Sequence, residues 1–163
     1  MKSVIIIRHA KSSWDLHTLS DFDRSLTEKG NKDALTMAKK LTDKNIVIDA
    51  FISSPAKRAI TTATYFAKAY KVDEEKIIQV KELYNASVEI FYNVIADVSN
   101  EFNNIALFSH NPGITYFVNE LTETQIDEMP ACGMFAVKAA CESWKDFSSA
   151  KKIFSFFDYP KNY

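Results

Sequence analysis

The segment Ile5-Ile6-Ile7-Arg8-His9-Ala10-Lys11 decides how the rest of the chain is interpreted. The short, β-branched apolar run from Val4 to Ile7 is typical of a strand that is buried on both faces. The run ends abruptly in an arginine and a histidine. Ligands of open α/β sheets bind just beyond the carboxyl ends of the strands, so Arg8 and His9 are expected at a binding site.

Two further apolar runs end in a comparable way. Ile105-Ala106-Leu107-Phe108 is followed by Ser109 and His110, and Phe51-Ile52-Ser53 leads through Ser54-Pro55 to Arg58. We therefore expect three strand ends to deliver two histidines and two arginines to one pocket. Such a set of side chains is suited to binding and attacking a phosphoryl group.

Strands alternate with helices through the first two-thirds of the chain. The predicted strands are Ser3–Arg8, Val47–Ser53, Ile77–Val80 and Asn104–Phe108. The predicted helices run from the N-cap Thr27 to about Asp43, from Ser54-Pro55 onward, from the N-cap Ser87 to Val98, and from Pro112-Gly113 to about Leu121. Alternation of this kind predicts an α/β sandwich with a mostly parallel sheet. Met134–Ala139 and Lys152–Phe157 lack an intervening helix, which predicts an antiparallel pair at the edge.

Length and composition are those of one soluble globular domain, residues 1–163. A net charge of −1 without a basic run argues against nucleic-acid binding, and no apolar stretch is long enough to span a membrane. The first strand starts so early that no room is left for a signal peptide, so a cytoplasmic location is expected. Cys132 and Cys141 have no metal-binding spacing and are expected to be reduced, buried thiols.

His9 is the predicted nucleophile, because an imidazole can form a covalent phosphoryl intermediate. Arg8 and Arg58 are predicted to bind the phosphoryl oxygens, and His110 to donate a further hydrogen bond. Nearby cations keep the His9 ring neutral, and its second nitrogen needs an acceptor, for which a backbone carbonyl is expected. The arginines would repel a cation, so neither a metal ion nor another cofactor is expected.

The polar connection from residue 10 to residue 25 is long, and long loops at strand ends are often functional. Ser12 in this loop is a further candidate for substrate binding. Trp14 is expected to anchor the loop. His17 is expected to be solvated, and its role, like that of the loop, is not assigned by the sequence.

The combined motifs resemble the histidine phosphatase superfamily. The family pattern matches Arg8-His9-Ala10, Ser53-Ser54-Pro55 with Arg58, and Ser109-His110-Asn111-Pro112-Gly113. The string from Arg8 to Trp14, Asp21-Phe22-Asp23-Arg24 and Leu26-Thr27-Glu28-Lys29-Gly30 resemble the small SixA-type phosphohistidine phosphatases. The resemblance implies an α/β/α fold and a phosphohistidine intermediate at His9. It also implies metal-free phosphate binding by Arg8, Arg58 and His110.

The chain departs from the family pattern at two positions. Ser109 stands where many members have glycine. Larger members carry a glutamate or aspartate just after the third strand, as general acid, and here that position holds Asn85. An amide has no proton of suitable acidity to donate. Glu82 is the neighbouring candidate for the acid, whose identity is otherwise unknown.

The function predicted from these residues is a phosphatase that acts through phosphorylated His9. Its expected substrate is phosphohistidine on a signalling protein, with a phosphatase of a small phosphorylated metabolite as one alternative. A non-catalytic phosphate-binding module is a second alternative, which the presence of all four central residues disfavours. The sequence names neither the partner protein nor the oligomeric state.

Overall fold

A computed structural model describes residues 1–14 and 20–162 of the chain. Within that part, six strands form one sheet: β1 Lys2–Arg8, β2 Ala50–Ser53, β3 Ile78–Gln79, β4 Asn104–Ser109, β5 Met134–Ala139 and β6 Lys152–Asp158. The strand order across the sheet is β3-β2-β4-β1-β5-β6. The pairs β3-β2, β2-β4 and β4-β1 are parallel, whereas β5 and β6 are antiparallel additions. The predicted mostly parallel sheet with an antiparallel edge is confirmed.

In the described part of the chain, four α-helices cover the two faces of the sheet: α1 Glu28–Asp43, α2 Lys57–Ala69, α3 Val88–Ala96 and α4 Gly113–Leu121. Two of the predicted N-caps form as expected. The side chain of Thr27 accepts from the Gly30 amide, and that of Ser87 accepts from the Ile90 amide. Each cap satisfies one of the backbone N–H groups that the first helical turn leaves without a partner.

The hydrophobic core lies in two layers, one on each face of the sheet. Alternate residues of β1 point to opposite faces, so Val4 and Ile6 enter one layer while Ile5 and Ile7 enter the other. The first layer includes buried side chains of α3 and α4, and the second includes those of α1 and α2. This explains the unbroken apolar run in the sequence, because both faces of β1 are covered. The sheet with helices packed on both faces forms an α/β/α sandwich.

Several element boundaries differ from the predictions. β2 begins at Ala50 rather than at Val47, which is 64% exposed and lies outside the strand ladder. β3 is reduced to two exposed residues at the sheet edge. α2 begins at Lys57 rather than at Ser54, because the Ser54 amide donates to the Phe108 carbonyl and so continues the sheet.

Both cysteines are buried and free of disulfide bonds. Complete burial raises the pKa of the Cys132 thiol, and burial also raises that of Cys141. None of the helices in residues 1–14 and 20–162 combines the length and apolar character required to cross a membrane.

Candidate active site

The parallel register brings the carboxyl ends of three neighbouring strands to one level. Arg8 at the end of β1 lies beside Ser109 at the end of β4, and Ser53 of β2 lies beside Phe108. The residues that follow these ends therefore meet at one edge of the sheet. The rings of His9 and His110 are 5.1 Å apart between centroids.

Two contacts fix the tautomer of the His9 ring. Nδ1 lies 2.7 Å from the carbonyl oxygen of Ala10, which can only accept, so Nδ1 carries the proton. Nε2 lies 3.3 Å from Nε of Arg58, and a guanidinium nitrogen can only donate. The lone pair of His9 therefore resides on Nε2 and faces the arginine. The acceptor for Nδ1 is the backbone carbonyl that the sequence analysis expected.

His9 is buried and surrounded by cations. Burial, which is the largest cause, and the guanidinium groups of Arg58, Arg8 and Arg24 together lower the pKa of its imidazole to about 3, against the opposing hydrogen bond to Ala10. Both effects disfavour the imidazolium form. The ring is consequently neutral at physiological pH, as a nucleophile must be.

Arg58 lies in the first turn of α2 with its guanidinium almost fully buried. Besides contacting His9, it donates from Nη1 to the backbone carbonyl of Asp21 at 2.6 Å and from Nη2 to the Asp21 carboxylate at 3.0 Å. The helix terminus is held near His9 by Thr62, whose hydroxyl donates to the Arg58 carbonyl and accepts from the Ala10 amide.

Two buried polar atoms at the site have no hydrogen-bond partner among the described residues: Nε of Arg8 and Nδ1 of His110. Arg8 otherwise donates from Nη1 to the carbonyl of Met129 at 2.8 Å. His110 contacts the Ser54 hydroxyl through Nε2 at 2.7 Å. Buried polar groups are nearly always paired, so unpaired atoms on two of the predicted anion ligands indicate a place for a bound group.

Burial, as the largest cause, together with His9 and Arg58 lowers the pKa of His110 to about 3. Burial also lowers the pKa of Arg8, which Glu128 partly opposes.

Three residues of the site carried no assigned role in the sequence analysis: Asp21, Arg24 and Tyr84. Arg24 donates to the Asp21 carboxylate at 2.8 Å and to the Ser12 hydroxyl, and its guanidinium lies 3.5 Å from the ring centroid of Trp14. The Tyr84 hydroxyl donates to the same carboxylate. The sequence signal for Asp21 and Arg24 was the resemblance of the Asp21–Arg24 segment to the family, and that segment does not include Tyr84.

The side chains enclose an open cleft of about 360 Å³. It is lined by Arg8, His9, Lys11, Ser12, Trp14, Asp21, Arg24, Arg58, Asn85, His110, Asn111 and Ala131. Four of these residues are cationic and one, Asp21, is a carboxylate. Such a cleft favours a ligand with more than one negative charge. Ser12, the further candidate for substrate binding, lines the cleft, and its hydroxyl accepts a hydrogen bond from Arg24.

Glu82 does not lie in the cleft. The single helical turn Lys81–Leu83 buries Leu83 and leaves Glu82 exposed, on a separate groove between β3 and α3. Glu82 is therefore not positioned to act as the general acid, contrary to the sequence-based suggestion. Asn85 does line the cleft, with a left-handed backbone φ of 63°. His17 lies outside the described residues.

The described residues contain no cluster of three or more metal-ligating side chains. Among those lining the cleft, the single carboxylate has a depressed pKa. The Tyr84 hydroxyl, Arg24 and Arg58 hold the pKa of Asp21 well below its usual range, although desolvation opposes them. In this state Asp21 has no proton to donate near neutral pH.

The low pKa values of both histidines predict a fall in stability on acidification. Between pH 6.5 and about 3 the unfolded chain binds protons that folded His9 and His110 do not bind, so the free energy of unfolding falls as the pH falls. We expect a loss of about 2 kcal/mol per histidine from pH 7 to pH 5, measured by urea unfolding. His110→Gln should show about half the loss. Equal stability of the unaltered protein at both pH values would contradict the inference that folded His9 and His110 are neutral.

The sequence from residue 4 to residue 90 matches the profile of the histidine phosphatase superfamily, branch 1. An uncharacterized chloroplastic protein of Arabidopsis thaliana is 27% identical over 155 residues, covering 89% of this chain and 70% of that protein. A 2,3-bisphosphoglycerate-dependent phosphoglycerate mutase of Dichelobacter nodosus is 35% identical over 75 residues. That match covers 45% of this chain but only 30% of the mutase.

Solved structures share the fold over nearly the whole chain. A protein assigned as the phosphohistidine phosphatase SixA of Agrobacterium tumefaciens superposes with a TM-score of 0.82 at 25% identity, covering 98% of both chains. The protein histidine phosphatase SixA complexed with tungstate superposes with the same TM-score of 0.82 at 23% identity, again over 98% of each chain.

Proposed function

This chain belongs to the histidine phosphatase superfamily, and on that premise we propose that it is a metal-independent phosphohistidine phosphatase with His9 as nucleophile. The predicted resemblance to SixA-type members is confirmed. One observation carries the proposal: the lone pair of a neutral, tautomer-locked His9 ring faces the buried guanidinium of Arg58.

The proposed reaction has two steps. In the first, Nε2 of His9 attacks phosphorus, a P–N bond forms, and the bond to the leaving group breaks with its electron pair. In the second, a water oxygen attacks phosphorus, the P–N bond to His9 breaks, and inorganic phosphate leaves. Between the steps the ring keeps its Nδ1 proton, which the Ala10 carbonyl holds. The net reaction consumes one water.

Charge stabilisation is the second task of the site. A transferring phosphoryl group spreads negative charge over three equatorial oxygens, which arginine is best suited to bind. Arg8 and Arg58 flank His9, and Nε of Arg8, which has no partner among residues 1–14 and 20–162, supplies one donor for a bound oxygen. The SixA relative complexed with tungstate supports the proposal that this cleft binds a tetrahedral oxyanion.

The proposed substrate class follows from the absence of a usable acid among the described lining residues of the cleft. Asn85 has no acidic proton, and Asp21 is held ionised. An alkoxide leaving group needs protonation in the transition state. The ring of a phosphohistidine can instead take a proton from water on the nitrogen that is not bonded to phosphorus, since imidazole has a pKa of about 6.5, and it then leaves as neutral imidazole. A P–N substrate therefore suits this site better than a sugar phosphate does.

We further propose that the substrate phosphohistidine belongs to a signalling protein, that residues 1–163 act as one domain, and that the enzyme works in the cytoplasm. The open cleft that the described residues form supports a protein substrate, because a phosphorylated side chain can enter it from solvent. A phosphatase of a small metabolite is the second candidate, and the similarity of part of the chain to phosphoglycerate mutases favours it.

A substrate panel tests the proposal. Turnover of a phosphohistidine protein is compared with that of sugar phosphates and aryl phosphates at equal concentrations. We expect the phosphohistidine protein to be preferred, aryl phosphates to react slowly and sugar phosphates to react least. Comparable turnover of a sugar phosphate and the phosphohistidine protein would favour the metabolite candidate instead. Release of no phosphate from any substrate would favour a binding module.

Arg58→Lys tests charge stabilisation separately. Lysine keeps the charge but loses the planar set of donors that contacts His9 and Asp21 at once, so kcat should fall by a factor on the order of 10² or more. The matched control is Lys57→Ala, one residue earlier on the exposed side of α2, which should leave kcat unchanged. Near-normal turnover by Arg58→Lys would mean that the arginine has a structural role only.

A further inference from the structure

The Asp21 carboxylate is hydrogen-bonded to the edge of the Arg58 guanidinium that is suited to binding a phosphoryl group. The Nε–Nη2 edge of a guanidinium presents two parallel donors, which match two oxygens of a phosphate. Here Nε donates to Nε2 of His9 at 3.3 Å, and Nη2 donates to Oδ2 of Asp21 at 3.0 Å. A phosphoryl group that His9 attacks while this edge binds it must therefore take the place of the Asp21 carboxylate.

The carboxylate is held by several groups and yet reaches solvent. Its second oxygen accepts from Nη1 of Arg24 at 2.8 Å, and the Tyr84 hydroxyl donates to Oδ2. The Asp21 side chain nevertheless remains 49% exposed, whereas that of Arg58 is 7% exposed. An exposed carboxylate can swing into solvent, where water hydrates it. The buried guanidinium of Arg58 has no such access to solvent. Displacement would thus fall on Asp21 rather than on Arg58.

We propose that Asp21 is an internal competitor for the phosphate site. It neutralises Arg58 and Arg24 in the free enzyme, leaves them when a phosphoryl group binds, and returns as inorganic phosphate departs. This role rests on the proposed function, because the competing anion is the substrate phosphoryl group and its product. Asp21 is a positioning residue, since it acts through the arginines.

The role resolves a difficulty that the cleft presents. Three arginines and Lys11 line it, and such a cationic site holds inorganic phosphate as well as it holds the phosphoryl group of a substrate. Equally tight binding of the substrate phosphoryl group and of inorganic phosphate does not accelerate the chemical step, and it slows product release. A carboxylate that competes for the same donors weakens phosphate binding without removing any arginine.

The test is the binding of inorganic phosphate and of tungstate, each measured by calorimetry on the whole chain. Asp21→Asn removes the negative charge but keeps a side chain of equal size. We expect its dissociation constants for both anions to fall about tenfold, because one repulsive charge close to the anion disappears. The inhibition constant of product phosphate during turnover should fall by a similar factor.

Two further variants complete the design. Asp23→Asn is the matched control on the same helical turn, because Asp23 accepts from Ser20 and lies outside the lining of the cleft; it should bind both anions like the unaltered protein. Tyr84→Phe keeps the Asp21 charge but removes one hydrogen bond that holds it. This variant should tighten anion binding by roughly two- to threefold.

The outcomes separate this inference from the proposed function. Unchanged or weaker anion binding in Asp21→Asn, with normal binding by the unaltered protein, would overturn the competitor role, and weaker binding would indicate that the carboxylate orients Arg58. Absence of phosphate and tungstate binding in the unaltered protein would overturn both proposals. Tighter binding in Asp21→Asn together with an inactive unaltered enzyme would support the competitor at a site that only binds phosphate.

Discussion

Replacing His9 by alanine is expected to lower kcat/KM for every phosphorylated substrate by a factor of about 10⁴ or more. The change removes the atom that forms the new bond to phosphorus. The neighbouring ring of His110 is not placed equivalently, because its Nε2 contacts the Ser54 hydroxyl and its centroid lies 5.1 Å from that of His9. Phosphate release from an aryl phosphate is the measurement.

Anion binding provides the control for His9→Ala. The arginines remain in place, so the variant should bind tungstate within about tenfold of the unaltered protein. Loss of turnover with retained binding separates a missing nucleophile from a collapsed site. An active His9→Ala variant would exclude His9 as nucleophile, and loss of both properties would indicate a structural role for the ring.

The second large effect concerns the leaving group. Without a general acid, rates among oxygen esters should rise steeply as the pKa of the leaving alcohol falls. The kcat/KM of activated aryl phosphates should exceed that of alkyl phosphates by at least the factor of roughly 10²–10⁴ that a general acid normally supplies. The measurement is kcat/KM over a series of aryl and alkyl phosphates. A flat series would show that the enzyme has a proton donor after all.

Asn85→Asp is the variant that tests the cause of this dependence. Asn85 lines the cleft with a φ of 63°, a conformation that asparagine and aspartate tolerate better than glutamate. If residue 85 faces the leaving group, the aspartate supplies a proton and flattens the series. An equally steep series in Asn85→Asp would place the leaving group elsewhere in the cleft.

The strand ends were predictable from the sequence because local patterns determine them. An unbroken apolar run identifies a strand covered on both faces, and the parallel order of such strands brings their carboxyl ends together. Arg8, His9, Arg58 and His110 were therefore located without tertiary information. Their positions around one cleft agree with the prediction, whereas their catalytic roles remain predictions.

The loop residues were not predictable in the same way. Asp21 reaches Arg58 across 37 positions of the chain and Tyr84 across 63, and no periodic pattern encodes such contacts. Glu82 was misplaced for a related reason. In the single helical turn Lys81–Leu83, only one of the three residues is buried, and that residue is Leu83. Packing of the turn against the core determines that choice, and the local sequence does not show it.

The most direct test of the account is the position of the phosphoryl label during turnover. The enzyme is mixed with a ³²P-labelled substrate, quenched within the first turnovers, digested and analysed by peptide. We predict an acid-labile, base-stable label on His9, because Nε2 of that ring carries the lone pair and lies beside Arg58. A label on His110, or hydrolysis with no labelled residue, would contradict it.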